Sequence, residues 1–183
     1  MNRIKMFAPV SMDGYVSRID GDIDWTMHYL RDGDYGLEDF LGTIDSVVFN
    51  REYYLMLQSY DLKWQYGDLP CYVISRHSFS ETRCRNVKLL PLSDGARLND
   101  KVLLNELLKD KGTVWLAGNN ELIATFLSMG LIDEVTLLVL PTTLGNGLPL
   151  ARGSSGECRW ALTDMKRYAN GVLRLTYRCT KDT

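Results

Sequence analysis

The chain has 183 residues, of which 45% are hydrophobic and 24% are charged. This balance is that of a globular protein and excludes disordered and collagen-like chains. The 21 basic and 23 acidic residues give a formal net charge of −2, and no basic run stands out, so a nucleic-acid partner is disfavoured. We expect one domain over residues 1–183, because a chain of this length can bury roughly 70% of its unfolded surface.

The sequence carries no pattern typical of membrane or secreted proteins. No apolar stretch has the length of a membrane span, and the opening residues MNRIKM are not followed by the apolar core of a signal peptide. The cysteines Cys71, Cys84, Cys158 and Cys179 are scattered and form no metal-like cluster with the two histidines. We therefore expect a cytoplasmic protein with reduced cysteines, without a metal site and without a membrane partner.

Apolar runs and helical stripes alternate along the first three quarters of the chain. Short apolar or β-branched runs predict strands over residues 4–10, 45–49, 71–75, 86–92, 113–117 and 133–140. Apolar residues at helical spacing predict helices over residues 35–43, 51–58, 103–108 and 122–127. Between the first strand and the first helix the sequence predicts a loop that contains Gly14 and Gly21.

The last quarter of the chain has a different pattern. Residues 160–166 and 172–178 are joined through Asn170-Gly171, a strong signal for a short hairpin. Strands that alternate with helices and end in a hairpin predict an α/β fold. We expect a mixed, mostly parallel central sheet with helices on both faces and a C-terminal antiparallel hairpin.

Polar residues follow three of the predicted strands directly. They are Asn50-Arg51, Ser75-Arg76 and Gly118-Asn119-Asn120-Glu121. The first and third also open helices, whose free N–H groups and positive dipole end attract anions. Three such strand ends suit a dinucleotide at the edge of an open sheet, although three ordinary capped turns explain the same residues.

The loop Ser11-Met12-Asp13-Gly14-Tyr15 follows the first strand and runs on towards Trp25. Asp13 either caps this turn or presents a carboxylate to a ligand. Trp25 either shelters a pocket or packs on the core. The residues alone leave both alternatives open.

These motifs together resemble the dihydrofolate-reductase-like family, which includes the C-terminal reductase domain of bacterial riboflavin-biosynthesis proteins and small stand-alone relatives. The resemblance rests on Ser11–Tyr15 with Asp20-Gly21 and Trp25, and on the motif NREYY from Asn50. Its longest part is VWLAGNNELIATFLSMGLIDEVTLLVLPTTLGNGLPL over residues 114–150, and it closes with NGV from Asn170 and with Tyr177.

The resemblance implies a homodimeric reductase that uses NADPH. Gly118, Asn119, Glu121 and Leu122 would hold the pyrophosphate, and Arg51 with Ser75-Arg76 would meet the adenosine end, where arginine favours a 2′-phosphate. The loop from Ser11 to Tyr15 would cover the nicotinamide. The cofactor residues implied in this way are Ser11, Gly14, Asn50, Arg51, Ser75, Arg76, Gly118, Asn119, Glu121 and Leu122.

Two positions depart from the family pattern, because Asn50 and Asn119 stand where the family usually has glycine. Asparagine narrows a phosphate cleft, but it is the least costly non-glycine residue in a left-handed backbone conformation. The alternative to a reductase is therefore a non-enzymatic ligand-binding or assembly domain of the same fold with weakened cofactor binding.

The implied reaction is hydride transfer to a small heterocyclic substrate, pteridine-like or pyrimidine-like, or to a carbonyl carbon. The implied enzymes resemble dihydrofolate reductase or 5-amino-6-(5-phosphoribosylamino)uracil reductase. Asp13 is the first candidate for orienting the substrate or relaying a proton. Asp34 and Glu38, at the start of the first predicted helix, are the next candidates, because folate reductases place a carboxylate on that helix.

Overall fold

The computed structural model describes residues 3–59, 66–77, 86–92, 100–153 and 157–180. The strands are β1 (Ile4–Ser11), β2 (Tyr15–Ser17), β3 (Ser46–Asn50), β4 (Cys71–Ser75), β5 (Val87–Pro91), β6 (Val114–Leu116), β7 (Glu134–Leu140), β8 (Leu148–Pro149), β9 (Trp160–Arg167) and β10 (Leu173–Cys179). The α-helices are α1 (Met27–Leu30), α2 (Leu37–Leu41), α3 (Arg51–Ser59), α4 (Lys101–Leu107) and α5 (Asn120–Ser128), and a 3-10 turn, Asp24–Thr26, precedes α1. Cys71 is buried, Cys158 and Cys179 are half buried, and Cys84 lies outside the described residues.

Eight strands form one sheet in the order β5-β4-β3-β6-β1-β7-β10-β9. All pairs from β5 to β7 are parallel, and β10 pairs antiparallel with both β7 and β9. β2 and β8 form a separate antiparallel pair. The predicted α/β fold, a mostly parallel sheet with an antiparallel C-terminal hairpin, is confirmed.

Helices cover both faces of the sheet, as the unbroken apolar runs of the central strands require. Successive residues of a strand point to opposite faces. In β3, Val48 packs in the cluster that contains Leu104 of α4 and Phe126 of α5, whereas Val47 packs with Phe40 of α2. All five residues of β3 are buried, so β3 lies at the centre of both cores.

The C-terminal hairpin turns at Asn170-Gly171, where Gly171 adopts a φ of 87° that suits glycine. The N–H of Tyr168 donates to the carbonyl of Val172 at 2.9 Å and closes the turn. β9 is largely exposed, and its side chains Leu162 and Met165 are 51% and 63% exposed. The sheet therefore ends in a strand with uncovered apolar residues.

The region predicted as a loop between the first strand and the first helix contains regular secondary structure in two places. The segment 24–30 forms the 3-10 turn and α1, and residues 15–17 form β2. Trp25 packs against Leu138, Leu140 and Val172 in the core, so the core alternative for this residue is correct. No helix within the described ranges is long and apolar enough to cross a membrane.

Candidate functional site

The three polar junctions predicted from the sequence follow three neighbouring strands. β4, β3 and β6 are adjacent and parallel, with Asn50 paired to Ile74 and Val48 paired to Leu116. Because the carboxyl ends of parallel strands meet at one edge of a sheet, Arg51, Arg76 and Gly118 follow strands that end at the same edge. The expectation that these junctions share one edge is confirmed.

Asn50 and Asn119 tie two of these junctions together. The side-chain oxygen of Asn50 accepts the N–H of Asn119 at 3.0 Å, and its amide donates to the Glu52 carboxylate at 2.7 Å. The side chain of Asn119 accepts the N–H of Leu122 at 3.0 Å and caps α5. Asn119 has φ −67° and ψ 169°, so its backbone is extended and the expected demand for a left-handed conformation does not arise here.

Gly118 lies where the end of β6 comes closest to α5. A Cβ atom at this position would lie 2.6 Å from Cδ2 of Leu122 and 3.2 Å from Oδ1 of Asn50. Glycine is needed for this close approach rather than for a special backbone angle. Among the described residues no acceptor takes the N–H groups of Asn120 and Glu121, so the first turn of α5 presents two free donors.

Arg51 stands at the first position of α3 and is half buried. Its Nε atom is buried and has no hydrogen-bond acceptor within the described part of the chain. A cation at a helix N-terminus is opposed by the helix dipole, and an anion would relieve both penalties. Arg76 is exposed, and the hydroxyl of buried Ser75 both donates to and accepts from the backbone of His77.

A cavity of about 1050 Å³ opens beside this edge. One group of lining residues, which we call the sheet-edge wall, includes Glu52 and Tyr53 of α3 and residues 117–120. A second group, which we call the loop-helix wall, lies between residues 20 and 37: Asp20, Gly21, Asp22, Ile23, Thr26, Met27, Leu30, Arg31, Gly33, Asp34 and Leu37. Residues 6–9 of β1 and Trp115 also line the cavity. Its size and apolar lining are those of a small-molecule site.

Asp34 is the one of the three carboxylate candidates that lines the cavity. Its two oxygens accept the N–H groups of Gly36 at 3.2 Å and Glu38 at 3.1 Å. These bonds, the one from Glu38 first, lower the pKa of Asp34 below its ordinary value. The carboxylate is therefore ionised at neutral pH and fixed at the start of α2. Glu38 is exposed and is not a lining residue.

Asp13 lies outside the cavity lining, as do Ser11 and Gly14 of the same loop. Its carboxylate accepts the Ser11 hydroxyl at 2.6 Å and the N–H groups of Leu144 and Gly145 at 3.1 and 2.8 Å. The pKa of Asp13 is lowered, mainly by the hydrogen bond from Ser11. In this geometry Asp13 closes its own turn and joins it to the loop after β7.

The remaining cofactor candidates divide into two groups. Gly118 and Asn119 line the cavity, whereas Asn50, Arg51, Ser75, Arg76, Glu121 and Leu122 do not. The sequence did not single out Tyr53, Trp115 or Thr26, which all line it. Burial raises the pKa of Tyr53, so its hydroxyl stays protonated. The sequence signal that could have identified Tyr53 as a site residue is its position two residues after Arg51, on the helix that begins at the carboxyl edge of the sheet.

The fold and the site define an open α/β protein with a ligand cavity at the carboxyl edge of its parallel strands. The family model of the RibD C-terminal domain matches residues 46–174, and the chain belongs to this family. It is 30% identical over 168 residues to the uncharacterized protein YwjB of Bacillus subtilis (strain 168), which covers 91% of this chain and 92% of that protein.

Solved structures share the fold. A protein assigned to riboflavin biosynthesis in Shewanella sp. PV-4 superposes with a TM-score of 0.80 at 23% identity, over 98% of this chain and 99% of that chain. The diaminohydroxyphosphoribosylaminopyrimidine deaminase/5-amino-6-(5-phosphoribosylamino)uracil reductase of Thermotoga maritima superposes with a TM-score of 0.69 at 14% identity. That comparison covers 98% of this chain and 57% of the Thermotoga chain. The chain therefore has a RibD reductase-like fold.

Proposed function

We propose that the protein is an NADPH-dependent reductase that transfers a hydride to a small heterocyclic or carbonyl substrate. The observation that carries this proposal is the placement of Arg51, Arg76 and Gly118 after adjacent strands that end at one edge, beside a cavity of about 1050 Å³. Membership of the RibD C-terminal domain family supports it. The volume of the cavity lies at the upper end of the roughly 300–1,000 Å³ that ligand sites span.

The residues at the edge fit the phosphates of a dinucleotide. Gly118 adds no side chain of its own at the turn into α5, and the N–H groups of Asn120 and Glu121, which have no acceptor among the described residues, would bind the pyrophosphate. Arg51 offers a buried donor without an acceptor among the described residues. When bound, NADPH supplies the hydride, and the chain supplies position and exclusion of water.

Titration of the purified protein with NADPH and NADH tests the proposal. Trp115 lines the cavity, so nucleotide binding should change tryptophan fluorescence. We expect saturation with NADPH below about 1 mM, a concentration that corresponds to about 4 kcal/mol of binding free energy. The absence of saturation with either nucleotide would refute a nicotinamide-dependent activity.

The two arginines test the choice between the cofactors. We expect Arg51→Ala and Arg76→Ala to weaken NADPH binding about tenfold or more, because a lost hydrogen bond to a charged group costs about 1.5–3 kcal/mol. NADH, which lacks the 2′-phosphate, should lose less. Equal losses for both nucleotides would assign these arginines to the pyrophosphate instead.

A second candidate function is a non-enzymatic ligand-binding or assembly domain, and the side chains of Asn50 and Asn119 favour it. Their hydrogen bond occupies the N–H of Asn119, a donor that a glycine at position 50 would leave free for phosphate. The double variant Asn50→Gly/Asn119→Gly decides between the two functions. A large gain in NADPH affinity would support the second function, and tight binding by the unmodified protein would exclude it.

We further propose that two copies associate through the exposed side of the C-terminal hairpin. The pairing of β9 with β10 shifts between Thr176 and Tyr177. As a result Leu162, opposite Tyr177, and Met165, opposite Leu175, lie on the same face of the sheet. An exposed apolar patch of this kind is typical of a subunit contact.

Light scattering checks the association. We expect a dimer for the unmodified protein and a monomer for Met165→Lys. A monomer for the unmodified protein would overturn this proposal and leave the reductase proposal intact.

A further inference from the structure

Tyr53 brings a phenol group into the lining of the cavity. It lies in the first turn of α3, two residues after Arg51, and its side chain is half buried. Its ring stacks on the buried ring of Phe49 in β3, with the ring centres 6.2 Å apart and the planes inclined by 19°. The phenol is therefore held by a helix and a central strand rather than by a surface loop.

A second tyrosine lies at the hydroxyl of the first. Tyr53 shares a hydrogen bond with Tyr66, which is 2% exposed and packs against the rings of Phe49 and Trp115, each at 5.0 Å. Burial raises the pKa of Tyr53, and the hydrogen bond with Tyr66 lowers it, as a donor to the phenolate oxygen does. Tyr53 therefore keeps its proton at neutral pH, and Tyr66 is placed to stabilise the phenolate once that proton has left.

The other hydroxyl groups of the described lining are used within the protein. Ser17 and Thr26 each donate to a nearby backbone carbonyl, at 3.1 and 2.8 Å. Tyr53, which accepts from Tyr66, keeps its own hydrogen for another acceptor. The Asp34 carboxylate in the same lining is ionised at neutral pH and has no proton to give.

We propose that Tyr53 is a catalytic residue, whose hydroxyl binds the nitrogen or oxygen of the reducible C=N or C=O bond and donates a proton to it. This inference rests on the proposed reductase function and adds a proton donor to the same cavity. It assigns that role to a group on the sheet-edge wall, beside the strand ends that would bind the nucleotide.

The reduction balances with this one donor. The carbon of the C=N or C=O bond accepts a hydride, with its electron pair, from the dihydronicotinamide ring, which is oxidised. The π electrons of the reduced bond move to its nitrogen or oxygen, which takes the proton as the O–H bond of Tyr53 breaks. The resulting phenolate accepts the hydrogen bond from Tyr66 until a proton from water restores the hydroxyl.

The first experiment measures hydrogen-bond donation without any nucleotide. The full chain is titrated by calorimetry with 1-tetralone, a bicyclic ketone, and with tetralin, which has the same two rings and no carbonyl oxygen. We expect the unmodified protein to bind the ketone about three- to tenfold more tightly, the range of one neutral hydrogen bond. Tyr53→Phe keeps the ring and removes the hydroxyl, so it should bind the two probes equally.

The next residue of α3 provides the matched control. Tyr54 is buried, its hydroxyl accepts the side-chain amide of Gln58 at 2.8 Å, and it does not line the cavity. Tyr54→Phe should therefore keep the preference for the ketone. If circular dichroism shows that Tyr53→Phe is unfolded, Tyr53→Leu takes its place.

The second experiment measures proton transfer. Reduction of 1-tetralone and of 3,4-dihydroisoquinoline, which offers a C=N bond, is followed through the absorbance of NADPH. We expect Tyr53→Phe to slow the reduction about 100-fold or more, as the loss of a general acid does. Tyr66→Phe should slow it less and keep the preference for the ketone, because the Tyr53 hydroxyl remains. Where the unmodified protein reduces neither probe, the binding comparison alone decides.

The outcomes separate this inference from the reductase proposal. Equal binding of ketone and tetralin by the unmodified protein, a ketone preference that survives in Tyr53→Phe, or undiminished reduction by that variant overturns the role of Tyr53. NADPH is titrated into the same preparations. NADPH binding without a Tyr53-dependent preference leaves the reductase proposal standing, whereas the preference without NADPH binding refutes the reductase and retains Tyr53 as a donor to the ligand.

Discussion

The two walls of the cavity are built in different ways. The sheet-edge wall is formed by strand ends and helix starts, and its packing requires a residue without a side chain at Gly118, where a Cβ would meet the Leu122 side chain. The loop-helix wall is formed by residues from a loop, a 3-10 turn, the four-residue α1 and the start of α2. One wall follows from the fold itself, whereas the other depends on individual side chains.

This difference separates what the family can share from what it can vary. Any chain that ends β3, β4 and β6 at one edge offers phosphate-binding donors there. The charge of Asp20, Arg31 or Asp34 can change without touching the sheet. The proposed function therefore predicts that substitutions in the loop-helix wall change substrate choice and leave nucleotide binding in place.

The largest expected effect comes from filling the space at Gly118. Gly118→Val places its side chain against Leu122 and Asn50 and should lower the free energy of unfolding by about 2–3 kcal/mol, the range of overpacked sites. It should also abolish NADPH binding, since the side chain fills the approach to α5. Urea unfolding and nucleotide titration measure the two effects.

The matched control is Gly33→Ala on the loop-helix wall. A Cβ at Gly33 meets no atom within 4 Å, so the free energy of unfolding should change by less than about 0.5 kcal/mol. Similar losses for both variants would show that the two walls do not differ as described.

A smaller effect is expected at the cap of α5. Asn119→Ala removes the acceptor for the N–H of Leu122 and should lower the free energy of unfolding by about 1 kcal/mol. Asn119→Gly should cost only a few tenths of that amount, because glycine is a tolerated cap. If both variants lose the same amount in thermal unfolding, the side-chain cap contributes nothing to stability.

The smallest effect concerns Asp34 and pH. Its folded pKa lies below the ordinary value of 3.8, so its contribution to stability is complete above that value and is lost as the pH falls through the folded pKa. Asp34→Ala should cost about 0.5–1 kcal/mol at pH 7 through the lost N–H acceptor. The gap to the unmodified protein should be the same at pH 5 and narrower at pH 3. A gap that widens in acid would have the wrong sign for a lowered pKa.

Most regular elements could be predicted from the sequence because their signals are local. The run of β-branched residues in β3 predicts a strand, and the spacing of the apolar residues in α5 predicts a helix. Asn170-Gly171 predicts the hairpin turn. The observed bounds of β4, Cys71–Ser75, are those predicted. The junctions at the strand ends were predicted for the same reason.

The loop-helix wall could not be predicted, because its order comes from distant contacts. α1 has only four residues and no side-chain cap, and it is too short to stabilise itself. Trp25 orders this region by packing on β7. β2 pairs with β8, more than 130 residues away. A strand of three residues is too short to show an alternation of apolar and polar residues in the sequence.

The bonds from Leu144 and Gly145 to the Asp13 carboxylate cross about 130 residues of sequence. They tie the turn before β2 to the loop before β8, and both strands contribute to the cavity through Ser17 and Leu148. The two amide hydrogens are therefore natural probes of this part of the molecule. Their rate of exchange with deuterium reports whether the paired strands stay together when a ligand enters, at a place outside the cavity lining.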